Sequence, residues 1–434
     1  MLTRFALFVL ATVSLALAAG KKTEVTFYKD VLPVLQKNCQ ECHRAGEAAP
    51  MELFTYQQVR PWAKAMREAV LTKKMPPWFA DPHVGKFSND RSMAQAEIDT
   101  LAGWADSGAK EGNKKDAPPP RTFATGWYIG KPDVVIEMPE PYDVPASGTI
   151  EYTYYIVPTG FTEDKWVQLA EARPGDRSVV HHIIAFAREP NSKWLRDYPV
   201  KQGFVPKRRG EGGGEGGVGG GEFISGFAPG APPEMLRPGQ GKLIKAGSDI
   251  VFQMHYTTNG KAARDQSKLG LIFSKDKPEY RVVTLAAMNG KFVIPPGAPA
   301  HAVDGAITLH GDTRLISLFP HMHLRGKSME MRAVYPTGEM EKLLWVPNYD
   351  FSWQLWYQLP EPKLLPKGTR IEATGTFDNS PNNPHNPDPT KEVRWGDQSW
   401  EEMMIGFFDV AIEAGKNPID VLRAPRRAAP GSEN

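Results

Sequence analysis

Cysteine is almost missing from this chain, with only Cys39 and Cys42 among 434 residues. A network of disulfides, the usual staple of exported domains with thin cores, is therefore excluded. A dominant charge is missing too: Lys+Arg 52 against Asp+Glu 50 leaves +2, with neither sign in long blocks. That balance offers no electrostatic footprint for nucleic acid or an anionic membrane. No apolar run beyond the first twenty residues approaches the roughly 20 residues needed to span a bilayer. No repeat recurs at a solenoid period. Glycine (40) and proline (39) are plentiful, as in a turn-rich β protein.

The chain is longer than one hydrophobic core can organise, so several domains are expected. Arg4, an apolar run over 5–16 and Ala16-Leu17-Ala18-Ala19 read as a secretory signal peptide over 1–19, cut after Ala18 or Ala19. Its run is too short for an anchor, so the expected location is periplasmic or secreted, with no membrane span after cleavage. Helical spacing follows over 31–35, 56–71 and 93–104, placing a small all-α domain at 22–113. A polar stretch at 114–122 with Pro118, Pro119 and Pro120 reads as a linker. Short strand-like runs then fill two regions, 123–280 and 281–424, which predict two all-β, jelly-roll-like sandwiches. Gly210 to Gly221 is nearly all glycine, but it lacks the Gly-Lys-Ser/Thr ending of a phosphate loop. It reads as a surface loop, and 425–434 as a disordered tail.

Cys39-Gln40-Glu41-Cys42-His43 has the spacing for covalent haem c: two thiols add to the vinyl groups and the next histidine takes the proximal position. A zinc site or a redox dithiol would not require the trailing histidine, and a zinc site would want a second cysteine pair. With both thiols used by haem, no thiolate remains for a blue-copper site, so further copper must bind through His and Met. For the sixth iron ligand the best candidate is Met75, ahead of Pro76 and Pro77; Lys-Met-Pro-Pro resembles the distal loop of small bacterial cytochromes c. Met51, Met66, Met93 and His83 compete with it.

Outside this module the histidines fall in a pattern. His181 and His182 open an apolar run, His255 ends Gln253-Met254-His255, His321 and His323 flank Met322, and Met403 and Met404 follow Glu401 and Glu402. In His-x-His on a strand both rings project from one face about 6.6 Å apart, within reach of one metal. Adjacent His181 and His182 can share an ion only at a strand end or a bulge.

The order His-His, Gln-x-His, Val-Ile-Pro-Pro-Gly, His-x-His-Leu with Gly-Lys, and acidic-Glu-Met resembles the copper type II, ascorbate-dependent monooxygenase family, which includes the peptidylglycine α-hydroxylating and dopamine β-monooxygenases. The likeness covers about 123–412. It implies two copper ions in two facing domains across a solvent-filled cleft. His181, His182 and His255 would hold the copper that stores and passes an electron, with ascorbate or another electron donor behind it. His321, His323 and Met403 would hold the copper that activates dioxygen, with Met404 as the fallback. Gln253 matches a position in the cleft and equally suits a structural role. Two departures bear on the substrate: Phe319 and Phe407 stand where the peptide-hydroxylating members use Arg and Tyr to hold a carboxylate. A buried anion without partners is costly, so the expected substrate is small and weakly polar.

The expected activity is hydroxylation of an aliphatic carbon by O2, with electrons relayed by the fused haem or by a redox partner protein. The alternatives are a non-catalytic electron-transfer or copper-binding protein with a β-sandwich recognition module, and a haem-centred peroxidase.

Overall fold

The computed structural model describes residues 24–47, 49–123, 126–207, 220–229 and 233–422. The expected signal peptide, nearly all of the glycine segment and the expected tail lie outside them. No helix among the described residues is long and apolar enough to cross a membrane.

The molecule is mostly β-sheet, and its helices gather near the start: Phe27–Val31, Leu32–Asn38, Tyr56–Val59, Ala63–Leu71 and Gln95–Asp106. Thr55 opens one of them with a capping box, its hydroxyl accepting from Gln58 N–H while the Gln58 amide oxygen accepts from Thr55 N–H. Ile98, Leu101 and Trp104 fall on one face of the last and bury against Phe27, Val31 and Leu35. Each such side chain contributes about 1.5–3 kcal/mol by leaving water. The Trp104 indole N–H is satisfied by the Lys110 carbonyl at 2.8 Å. The stretch expected as a linker is bonded to the helices: Gln36 donates to the Pro119 carbonyl, and Arg121 donates to the Gln36 carbonyl and to Glu41.

Three large sheets build most of the rest, beside two of two strands each. The longest, with nine strands, runs in the order Val134–Glu137, Lys268–Phe273, Lys165–Arg173, Gln240–Ile244, Tyr280–Met288, Ile405–Glu413, Thr313–His321 and Tyr357–Leu365, with Glu234–Met235 paired to Lys165–Arg173 off this path. A five-stranded sheet (Gly203–Phe204, Thr153–Pro158, Asp249–Tyr256, Val180–Arg188, Glu222–Phe227) covers its first half. A four-stranded sheet (His301–Thr308, Arg370–Phe377, Gly326–Val334, Met340–Val346) covers its second. Alternation drives this layering: along Arg370–Phe377, Ile371, Ala373, Gly375 and Phe377 are buried while their neighbours are not. Val167, Ala170, Leu269 and Leu271 meet Ile183, Ala185 and Phe252 in one core; Val283, Leu315, Phe408 and Val410 meet Met329, Met331 and Ile371 in the other.

Two features depart from independent modules. The long sheet is continuous across the expected boundary at 280/281, because Gln240–Ile244 pairs in parallel with Tyr280–Met288. Residues 76–90, within the expected helical domain, pack on the second sandwich, where Ala80 joins its core and Trp78, Phe79 and Phe87 lean on it.

Candidate metal centres around a shared cavity

The strands Val180–Arg188 and Asp249–Tyr256 are antiparallel neighbours, and their register shifts at His255/Tyr256: His255 faces His182, but Tyr256 faces Val180. His181 is thus the extra residue of a bulge. The bulge turns both adjacent imidazoles toward His255, which a regular strand would forbid. His182 Nδ1 lies 3.3 Å from His181 Nδ1 and 3.4 Å from His255 Nδ1. One ligand atom from each ring lies within 4.8 Å of the others. Burial holds His181 at about 4 and His255 at about 3, and pushes His182 well below its ordinary value, so all three are neutral at pH 7. Three neutral imidazoles with converging nitrogens suit a divalent or monovalent transition metal. Tyr152 backs His255, ring centroids 4.6 Å apart.

The second centre lies at the end of Thr313–His321. His321 and His323 flank Met322, whose side chain is buried in the second core, and their ring centroids are 5.3 Å apart. His321 Nδ1–H donates to the Gln354 amide oxygen at 2.9 Å, and His323 Nδ1–H to the Glu401 carbonyl at 3.3 Å. Both rings therefore leave Nε2 as the free ligand atom, whereas the first cluster converges through Nδ1. Burial lowers the pKa of both. Met403 lines the same cavity as His321 and His323. Met404 is buried in the second core, its side chain against Gly305 and Gly375. The two methionines precede the last strand, which starts at Ile405 rather than at Met403. Glu402, fully buried, ties the centre together: its carboxylate accepts from His323 N–H at 2.8 Å and Arg325 N–H at 2.6 Å. Burial pushes its carboxyl up to about 8 against those donors.

A cavity of about 920 Å3, open mouth included, is lined by His182, His321, His323 and Met403. Its other walls are largely apolar, with Phe186, Phe223, Phe227, Phe319, Trp356 and Phe407 among them; among the described residues Asp397 is the single formally charged side chain of the lining and no Lys or Arg takes part. Gln253 lines it as well and donates to the Tyr154 hydroxyl, so it serves wall and framework together. One ring connects the two histidine groups: Phe351 lies 5.4 Å from His181 and 5.8 Å from His323.

Sequence reasoning did not find Phe351, Gln354 or Tyr349. They share a polar and aromatic loop with no metal-ligand spacing, and their role appears only once Tyr349 bonds the Met322 carbonyl at 2.6 Å and Gln354 reaches His321. Replacing Gln354 by leucine should leave the fold intact and weaken metal binding at His321 about 10–100-fold, since an outer-shell partner fixes the tautomer. Isothermal titration of the two sites would check this.

In the helical unit, Cys39 and Cys42 are free thiols one turn apart, and Cys42 and His43 N–H groups both donate to the Cys39 carbonyl. Burial pushes the Cys39 thiol up to about 12. His43 Nδ1–H donates to the Met51 carbonyl at 3.2 Å, leaving Nε2 for a metal. That bond puts Met51 on the histidine side, and Met66 and Met93 pack in the helical core. His83 is 88% exposed and paired with Asp81. Met75 is half-buried, at a cis peptide with Pro76.

No family model matches the chain, and no curated protein does. Among solved structures, that of infectious bursal disease virus Gt strain is 10% identical, covering 67% of this chain and 75% of that chain at a TM-score of 0.17. The VP2 subviral particle of infectious bursal disease virus is also 10% identical, covering 68% and 75% at a TM-score of 0.17. Likenesses so faint carry no argument about this chain.

Proposed function

We propose that this chain is an exported copper monooxygenase with a covalently attached haem c. An aliphatic C–H bond of a small, weakly polar substrate, O2, two electrons and two protons would give an alcohol and water. The observation that carries this reading is one apolar cavity lined by His182, His321, His323 and Met403, with His181 and His255 clustered on His182. Copper bound there would supply one-electron chemistry and O2 activation. His181, His182 and His255 offer three neutral nitrogens to one ion; His321, His323 and Met403 offer two nitrogens and a thioether to the other. The thioether favours the reduced metal, the form that meets O2. Phe319 and Phe407 close the wall beside His321 with rings, and the absence of Lys and Arg among the described lining residues supports a substrate without an anionic group. Cys39, Cys42 and His43 fit haem c, with Met75 as the sixth ligand and the haem as an electron source beside ascorbate or a redox partner protein. The leader-like first 19 residues and the haem attachment together support a periplasmic or secreted location.

Metal analysis of the purified protein tests this: two coppers per haem are expected. Met403→Ile and His255→Ala should each remove one, and either should abolish oxygen-dependent hydroxylation in a screen of small apolar alcohols, amines and lipids. Copper at one site only, with no oxygen uptake, would instead favour an electron-transfer protein. Carbon monoxide binding to the reduced haem with Met75 intact would favour a haem-centred oxidase.

A further inference from the structure

Beside the cavity that the histidines line is a second chamber of about 640 Å3, open mouth included, and the two share Gly226 and Trp356 as walls. Where the first is largely apolar, this one is polar: Ser317, Asp409, Gln240, Gln358 and Arg237 line it. The strand Thr313–His321 pairs with Ile405–Glu413 in regular register from Ser317/Asp409 to His321/Ile405. Ser317, Phe319 and His321 therefore fall on one face of their strand, and Asp409, Phe407 and Ile405 on one face of its neighbour. At about 3.3 Å per residue, the chain from Ser317 to His321 covers about 13 Å. Polar chamber, rings and imidazoles thus follow one another along a single face of the long sheet.

Asp409 is the group that the fold leaves unbalanced. It is 3% exposed, and its cross-strand neighbours Thr284 and Ser317 both donate their hydroxyls to it, at 2.5 Å and 2.7 Å. Those bonds fix the carboxylate without cancelling its charge. A carboxylate accepts about four hydrogen bonds, so acceptor capacity remains. Among the described residues no Lys, Arg or His pairs with it: Arg237 of the same lining gives its guanidinium to Glu361 and to the Leu359 and Pro360 carbonyls. A bridge that only tied three strands together would need no charge, since a neutral acceptor would serve. A buried anion held by neutral donors alone is costly, and a cation brought into the chamber offsets that cost. Thr284 lines the first cavity, so the carboxylate stands at the partition between the two.

We propose that this chamber takes the ammonium end of an elongated aliphatic amine, held by Asp409, while the apolar chain runs past Trp356 and along Phe319 and Phe407 toward His321. Trp356 stacks on Phe319 at 4.6 Å and lies 5.4 Å from Phe223, so the passage between the chambers is walled by rings that suit a hydrocarbon chain. The binding follows from the groove itself; the fate of the chain rests on the oxygenase reading above. On that reading, a nitrogen fixed about 13 Å from His321 brings the far end of the chain to the reacting position, so a C–H bond remote from nitrogen becomes C–OH in the O2 reaction already balanced. A primary amine of about ten carbons has the matching reach. Asp409 is a specificity residue here, since it touches the polar end of the ligand and no reacting atom.

Isothermal titration of the full chain, free of copper, with decylammonium, butylammonium, decanol and decanoate tests the binding apart from any reaction. Decylammonium is expected to bind about tenfold or more tightly than each of the other three. Asp409→Asn keeps an oxygen acceptor for the neighbouring hydroxyls; it is expected to weaken decylammonium about 10–100-fold, the effect of one hydrogen bond to a charged group, and to leave decanol unchanged. Equal affinity for decylammonium and decanoate, read on the unaltered protein and so independent of how the variant folds, overturns the assignment. A loss in Asp397→Asn with none in Asp409→Asn overturns it too. The copper-loaded protein, given ascorbate and O2, is then expected to hydroxylate decylamine at carbons remote from nitrogen. Tight binding with no product ends the oxygenase reading and leaves the chamber in place, whereas hydroxylation indifferent to Asp409→Asn ends the chamber and leaves the oxygenase.

Discussion

Glu402→Ala is expected to lower the stability of the protein by about 3–5 kcal/mol and to empty the His321 centre of metal. The carboxylate is fully buried and accepts from the backbone of His323 and Arg325 on one side of the centre, while its own backbone leads directly into Met403 on the other. Alanine would leave two interior N–H groups without an acceptor, at about 1–3 kcal/mol each, and a hole behind the His-Met-His turn. The Arg325 guanidinium keeps Asn379 and the Trp400 carbonyl, so it adds less to the loss. Glu402→Gln retains an oxygen acceptor of the same reach and should cost only about 1–2 kcal/mol, with most of the metal kept. Urea melts of both variants, with copper counted per chain, would decide it. An alanine variant as stable and as fully loaded as the wild type would show that the carboxylate does not hold the centre.

The second large effect concerns acid. Burial lowers His181 to about 4 and His255 to about 3 from the ordinary 6.5. As pH falls through 6.5 the unfolded imidazoles take up protons while the folded ones stay neutral, so the unfolded state gains. Stability of the metal-free protein is therefore full above about 6.5 and declines as pH is lowered toward 4. At about 1.4 kcal/mol for each pH unit and group, each histidine should contribute a loss of roughly 2 kcal/mol by about pH 5. Saturating copper raises the whole curve, by about 2.7 kcal/mol at a hundredfold excess over its dissociation constant, without changing the slope in that window. A double variant, H181Q with H255Q, should lessen the decline, the part owed to His182, His321 and His323 remaining. Denaturant midpoints across the pH series provide the check, and a metal-free protein of constant stability from pH 7 to 5 would refute the buried, neutral cluster.

Much of the local structure was legible in the sequence. The helical spacing of Ile98, Leu101 and Trp104 marked a buried face that the structure contains, and strand-like runs such as 370–377 and 250–256 appear at nearly their expected bounds. The strand Tyr357–Leu365 was not anticipated, because Pro360 and Pro362 argue against a strand interior. It tolerates them at the outer edge of the long sheet, where one side of the backbone needs no sheet partner. The vicinal histidines were ambiguous for a similar reason: only a bulge makes the pair convergent, and bulges follow from the register of the partner strand.

By itself, the sequence determined which groups exist and which face of each element they occupy. The two thiols beside His43, the imidazoles on either side of Met322, and the scarcity of cations beside the apolar runs are all local properties, set by residue type and a period of two or 3.6. The tertiary structure alone decided which of those faces meet. That the long sheet crosses from one sandwich to the other, that Phe351 touches both histidine groups, and that a loop of the helical unit closes the far sandwich depend on contacts between residues up to 270 positions apart. Such contacts arise because edges and apolar faces must be covered by something, and nothing in a local pattern names the segment that will cover them.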